Sequence, residues 1–174
     1  MNIKTLKTLE YNKIVDLLIE KAESELGKDL AKKIVPLRKM ENIEELQRET
    51  EEAYSLIMKR GNPPLYGIYS IALEVKRLDI GGSLSPGSLL KISDMLRVSR
   101  GLKNYIKETK DDKVFNYPII EGLVEDLSIF KHIEDEINNA IISEDEISDN
   151  ASSTLKSIRR QIASKNDSVK SKLN

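Results

Sequence analysis

A chain of 174 residues, 39% hydrophobic and 33% charged, is long enough for one domain with a real core. Two phenylalanines and no tryptophan suit helices with charged outer faces better than a β-sandwich. The absence of cysteine excludes a disulfide framework and a thiolate metal site, and a net charge of −1 argues neither for nor against nucleic acid. The opening Met1-Asn2-Ile3-Lys4 lacks the apolar core of a signal peptide, and no apolar run reaches membrane-span length. Without cysteine the chain also fits a reducing compartment, so the expected location is cytoplasmic.

Thr8-Leu9-Glu10 is expected to open the first helix, with Ile14, Leu17, Leu18 and Leu26 at helical spacing and Leu30 and Ile34 continuing it. Gly27 marks a break inside this region. Pro36 stops it, because proline disfavours helix at the residue before it. Asn42-Ile43-Glu44-Glu45 has the form of a capping box. Ile43, Leu46, Thr50, Ala53 and Ile57 then make one apolar stripe on a charged helix over about 43–60. Gly61-Asn62-Pro63-Pro64 is a hard break. Ile71, Val75 and Leu78 predict a short helix closed at Gly81, where glycine takes the left-handed conformation.

The stretch "IGGSLSPGSLLKIS" at 80–93 poses a choice between a phosphate-cradling loop and a helix start. Gly82 and Gly87 have the outer spacing of a phosphate-binding loop, but Ser88 and Leu89 stand where lysine and a magnesium-binding hydroxyl belong. Pro86 lacks the N–H such a loop would aim at an oxygen. A helix start accounts for the residues better, with Ser85 as N-cap and Pro86 at the first helical position.

The helix that follows is expected to run to about Thr109, with Leu89, Ile92, Leu96, Leu102 and Ile106 inward. Arg97, Arg100, Lys103 and Lys107 fall within about a third of its circumference. This basic stripe is a solvated face or a nucleic-acid contact. Tyr117-Pro118 starts another helix, with Ile120, Leu123 and Leu127 inward. The next holds His132, Ile133, Ile137 and Ile141. His132 is the sole histidine and has no partner pattern for a metal, so no metal site is expected. Ser143-Glu144-Asp145-Glu146 reads as a tight solvated turn, lacking the spacing of a calcium loop.

From Asn150 the pattern thins. Leu155, Ile158, Ile162 and Val169 form a narrow stripe, and Lys165 and Lys172 hold the positions expected to continue it. Charge is uneven: residues 121–149 carry ten acids and one base, a net of −9, and residues 151–174 carry six bases and one acid, a net of +5. Either adjacent faces complement each other, or Lys156, Arg159 and Arg160 mark a second nucleic-acid contact. No carboxylate pair is backed by a nucleophile, a metal cluster or an oxyanion loop, so no catalytic residue is assigned. The fold expected is all-α, about seven helices, six in a compact body (residues 1–149) and a last one projecting (150–174).

Four segments carry a family resemblance: "KTLEYNKIVDLLIEKAES" at 5–22, "EEAYSLIMKRGNPPLYGI" at 51–68, "GGSLSPGSLLKISDMLRVSRGLKNYI" at 81–106 and "EISDNASSTLKSIRRQI" at 146–162. In this order they resemble the N-terminal portion of bacterial MutS-like proteins of the second type, the paralogue that carries a C-terminal Smr domain. Where that family usually has a glycine, this chain has Asp145, which tolerates a left-handed turn; Tyr69 and Ser70 follow "LYGI" where an aspartate is usual.

The resemblance implies a helical core over 1–149 and the start of a lever helix over 150–174. The family's ATPase, with its ATP and magnesium, and its Smr endonuclease would lie outside this chain, which has no Walker or Smr motif. It implies no cofactor and no catalytic residue within this chain. For the full-length protein it implies a homodimer. The partner implied is DNA, with branched-DNA binding and recombination suppression, or the ribosome, with rRNA binding and rescue of collided ribosomes. No membrane partner is expected. The alternative is an autonomous nucleic-acid-binding helical module acting through the two basic sets.

Overall fold

The computed structural model describes residues 2–107 and 117–173. These residues form nine α-helices and one 3-10 turn, with an isolated antiparallel bridge between Ile141 and Ile147. The protein is all-α. It divides into two compact units, one of residues 1–70 and 95–129, the other of residues 71–94 and 130–174.

In the first unit, α1 (Ile3–Thr8) is capped by Asn2, whose Oδ1 accepts from the Lys4 N–H at 3.1 Å. The sequence reading placed the first helix start at Thr8-Leu9-Glu10, but these residues end α1 instead. Glu10 takes a left-handed backbone, φ 54°, and sets the turn into α2 (Tyr11–Lys21). Nor does Gly27 make the next break. Ser24 does, its Oγ accepting from the Gly27 N–H at 3.0 Å as the N-cap of α3 (Glu25–Lys32), so Gly27 lies inside that helix. These splits account for more helices than the expected seven. α2 packs on α3, and the Tyr11 hydroxyl donates to the Ile34 carbonyl at 3.2 Å.

α4 spans Met40–Arg60 and begins before Asn42, so the Asn42 capping box does not form. It closes at Gly61, φ 80°, whose N–H donates to the Ile57 carbonyl at 2.8 Å. Its apolar stripe is corrected more sharply. Leu46 is 51% exposed and Ile57 is exposed too, while Leu56, outside the expected stripe, is buried. α4 packs against α7 (Pro118–Glu125), so the covered face is the one holding Glu52, Ala53 and Leu56. The core of this unit joins Leu56, Ile106 and Tyr117, flanked by Tyr105, Ile120 and Val124. On α7, Ile120 and Val124 face this core; Leu123, expected inward, is exposed. Tyr105 donates to the Gly61 carbonyl at 2.7 Å, and burial holds its phenol above the usual value against the opposing pull of the Arg60 guanidinium.

The N-terminus of α7 is capped from another helix. Pro118 brings no N–H, and the Ile119 and Ile120 N–H groups donate to Glu52 Oε2 at 2.9 and 3.2 Å. A carboxylate there satisfies two orphan donors and complements the positive end of the helix.

In the second unit, α5 (Ala72–Asp79) ends as the sequence predicts. The Gly81 N–H donates to the Leu78 carbonyl and the Gly82 N–H to the Arg77 carbonyl, both at 2.8 Å, with Gly81 at φ 77°. This double closure is a Schellman motif. A Cβ at Gly82 would lie 2.8 Å from the Arg77 carbonyl oxygen, so Gly82→Ala is expected to cost about 1–2 kcal/mol, read by urea denaturation.

α6 (Pro86–Lys107) starts as expected, with Ser85 Oγ accepting from the Ser88 N–H at 3.2 Å. The expected limit at Thr109 lies outside the described residues. A Cβ at Gly87 would stand 3.2 Å from the Glu144 carboxyl carbon, so the first turn of α6 already has a carboxylate beside it. The division between the units falls within α6, between Asp94 and Met95.

Ser93 of α6 donates to Asn138 of α8 (Lys131–Ala140) at 2.9 Å. The chain then turns tightly, with the Glu146 N–H donating to the Ser143 carbonyl and the Ile142 N–H to the Glu146 carbonyl. Asp145 does not need the left-handed conformation its family position suggested, since Glu10 alone among the described non-glycine residues has positive φ. A 3-10 turn (Asp149–Ala151) leads into α9 (Ser153–Leu173).

Candidate nucleic-acid interface

The two basic sets lie in different units. On α6 the four cations do not form one open stripe. Arg97 is half-buried, and its Nη2 donates to the Tyr66 carbonyl at 2.9 Å. Lys103, also half-buried, donates through Nζ to the Glu125 carbonyl at 3.1 Å. That carbonyl ends α7, where a cation complements the negative end of the helix. Arg100 is half-buried and also has a partner. Lys107 is exposed and, with Lys103, edges a shallow depression of about 300 Å³ floored by Ile106, Val124 and Ile129. The cations at 97 and 103 therefore hold a loop and a helix end in place.

The set on α9 sits at the root of the helix. Ser148 Oγ accepts from the Asn150 N–H at 3.1 Å, and Ser152 Oγ accepts from the Leu155 N–H at 3.0 Å. One serine caps the 3-10 turn, the other caps α9. Arg159 reaches back from α9: its Nη1 donates to the Ile147 carbonyl at 2.9 Å and to Asp149 Oδ1 at 2.5 Å. Lys156 is half-buried, and Arg160 is exposed. Of the charge complementarity expected between 121–149 and the C-terminal block, Arg159–Asp149 is the ion pair found here. Arg159→Ala is expected to remove about 0.5–1 kcal/mol from the closure of this root, because the pair is partly solvated. The check is amide exchange at residues 147–156, which should speed up severalfold while α2 and α3 are unchanged.

Ser148, Ser152 and Glu52 were not singled out from sequence. Serines just before an apolar-periodic run are a readable cap signal; the reach of Glu52 to α7 has no local signature. His132 is exposed, and among the described residues no three His, Asp or Glu side chains converge on a possible metal position. Among the same residues, no helix is long and apolar enough to cross a membrane.

A second surface is apolar. Leu37, Ile43, Leu46, Thr50 and Tyr54 line an open groove of about 540 Å³ along α4. It is the stripe the sequence marks as core, and in this chain it faces outward.

These features define a helical packing module whose basic residues work partly as internal ties. No protein-family model matches the chain. Along its whole length it is similar to the endonuclease MutS2 of Clostridioides difficile, with 53% identity over 174 residues. It is 46% identical over 174 residues to that of Alkaliphilus oremlandii and 48% identical over 179 to that of Acetivibrio thermocellus. The chain spans 22% of the length of each of these relatives, at their N-terminal end. The sequence is that of the N-terminal portion of a MutS2-like protein.

Proposed function

We propose that this chain is the non-catalytic connector, core and lever start, of a MutS2-type ATPase acting in the bacterial cytoplasm. The observation that carries this reading is the match of the entire chain to the N-terminal 22% of proteins named endonuclease MutS2. On this reading residues 1–149 are the core and 150–174 begin the lever. ATP, Mg²⁺ and the nuclease belong to the rest of the parent protein, a homodimer. That parent binds branched DNA and suppresses recombination, or acts on collided ribosomes. The engagement of Arg97 and Lys103 with backbone carbonyls supports a connector over an autonomous nucleic-acid binder.

The test is a titration of this chain against a four-way DNA junction and against ribosomes, each at two salt concentrations, with ATP and DNA hydrolysis assayed in parallel. The connector reading expects no hydrolysis and at most weak binding that fades steeply with salt, because neutralised phosphates release counterions. Sub-micromolar binding that survives physiological salt favours the nucleic-acid-binding module and makes Lys107 and Arg160 the first residues to replace. EDTA-sensitive nuclease activity in a clean preparation overturns the connector reading.

A further inference from the structure

We propose that the outer face of α9 docks an acidic amphipathic helix, and not a second copy of this chain. From Ser157 to Lys172 every residue of α9 is exposed; Ile158, Ile162 and Val169 are 48%, 54% and 56% exposed. With the half-buried Leu155 they occupy about 60° of the helix circumference at about 100° per residue. That width is a coiled-coil seam, narrower than the face of a core helix.

The charge around the seam selects the occupant. Lys165 and Lys172 border it on one side, Arg159 and Lys170 on the other, and Asp167 lies about 150° away on the far side. Arg159 is turned toward Asp149, which leaves Lys165, Lys170 and Lys172 as the exposed flanking cations. A parallel in-register copy would set Lys165 against Lys165 and Lys172 against Lys172. An antiparallel copy centred on the seam would set Lys172 on Leu155 and Lys165 on Ile162. Both arrangements bring two blocks of net charge +5 together. A helix with apolar residues facing 155, 158, 162 and 169 and carboxylates facing 165, 170 and 172 removes both conflicts.

The probe is a labelled 21-residue peptide with leucine at its seam positions and glutamate at the flanking ones. A second peptide has lysine in place of each glutamate. Fluorescence anisotropy with the 174-residue chain is expected to show the glutamate peptide binding at least about tenfold more tightly, with the gap narrowing as salt rises. Lys165→Glu/Lys172→Glu should reverse the preference. Ile158→Asp/Ile162→Asp, at exposed positions that leave the thermal melt unchanged, should abolish binding of both peptides. Sedimentation should show the unmodified chain monomeric. Equal binding of the two peptides overturns the proposal, as does a dimer that Ile162→Asp dissociates. So does a DNA duplex that outcompetes the glutamate peptide for α9 at physiological salt.

Discussion

Leu56→Ala is expected to destabilise the chain by about 3 kcal/mol, whereas Leu46→Ala on the same helix is expected to cost less than about 1 kcal/mol. Leu56 is 3% exposed and sits among Ile106 and Tyr117, so its truncation leaves a cavity that the neighbouring helices cannot fully close. Leu46 is half in water, and its truncation returns little apolar surface to solvent. Thermal melts should separate the two variants by several degrees, at about 2–4 °C per kcal/mol for a chain of this size. Equal losses would mean that the outward stripe of α4 is covered in solution.

Glu52→Ala is the second large effect, expected at about 2 kcal/mol. It leaves the half-buried N–H groups of Ile119 and Ile120 without the carboxylate that accepts from both. Losing a charge-assisted cap costs more than losing a neutral one, and no nearer side chain of the Tyr117-Pro118 turn replaces it. Glu52→Gln keeps an acceptor oxygen but loses the charge at the helix end, so about half of the loss should be restored. Amide exchange localised to 119–125 distinguishes this failure of α7 from the global loss caused by Leu56→Ala.

The parts legible in the sequence were those decided within one or two turns of chain. The Gly81-Gly82 closure, the Ser85-Pro86 start and the turn at Ser143 depend on neighbours in sequence, and the structure has all three. The N-terminal boundaries misread as Thr8 and Gly27 were also local, but there a serine cap and a left-handed glutamate outweighed the glycine signal. What could not be read was decided at a distance. Periodicity located an apolar stripe on α4 but not which face α7 would cover. The α6 cations look alike on a helical wheel, and only the fold supplies the carbonyls of Tyr66 and Glu125 that Arg97 and Lys103 reach. For the site itself, the sequence located the basic residues correctly and left their work undecided.

The Arg159 tie also fixes how α9 moves. The helix is 21 residues, about 32 Å, and Arg159 grips the preceding turn about 9 Å from its first residue. Past that grip the fold offers no second fulcrum, because the remaining residues face solvent. A slack of 1 Å in the grip therefore becomes a displacement of about 3 Å at the tip. The stiffness of one guanidinium contact sets the mechanical gain of the whole arm, and any force applied at the far end is felt, geared up in the same ratio, at Ile147 and Asp149.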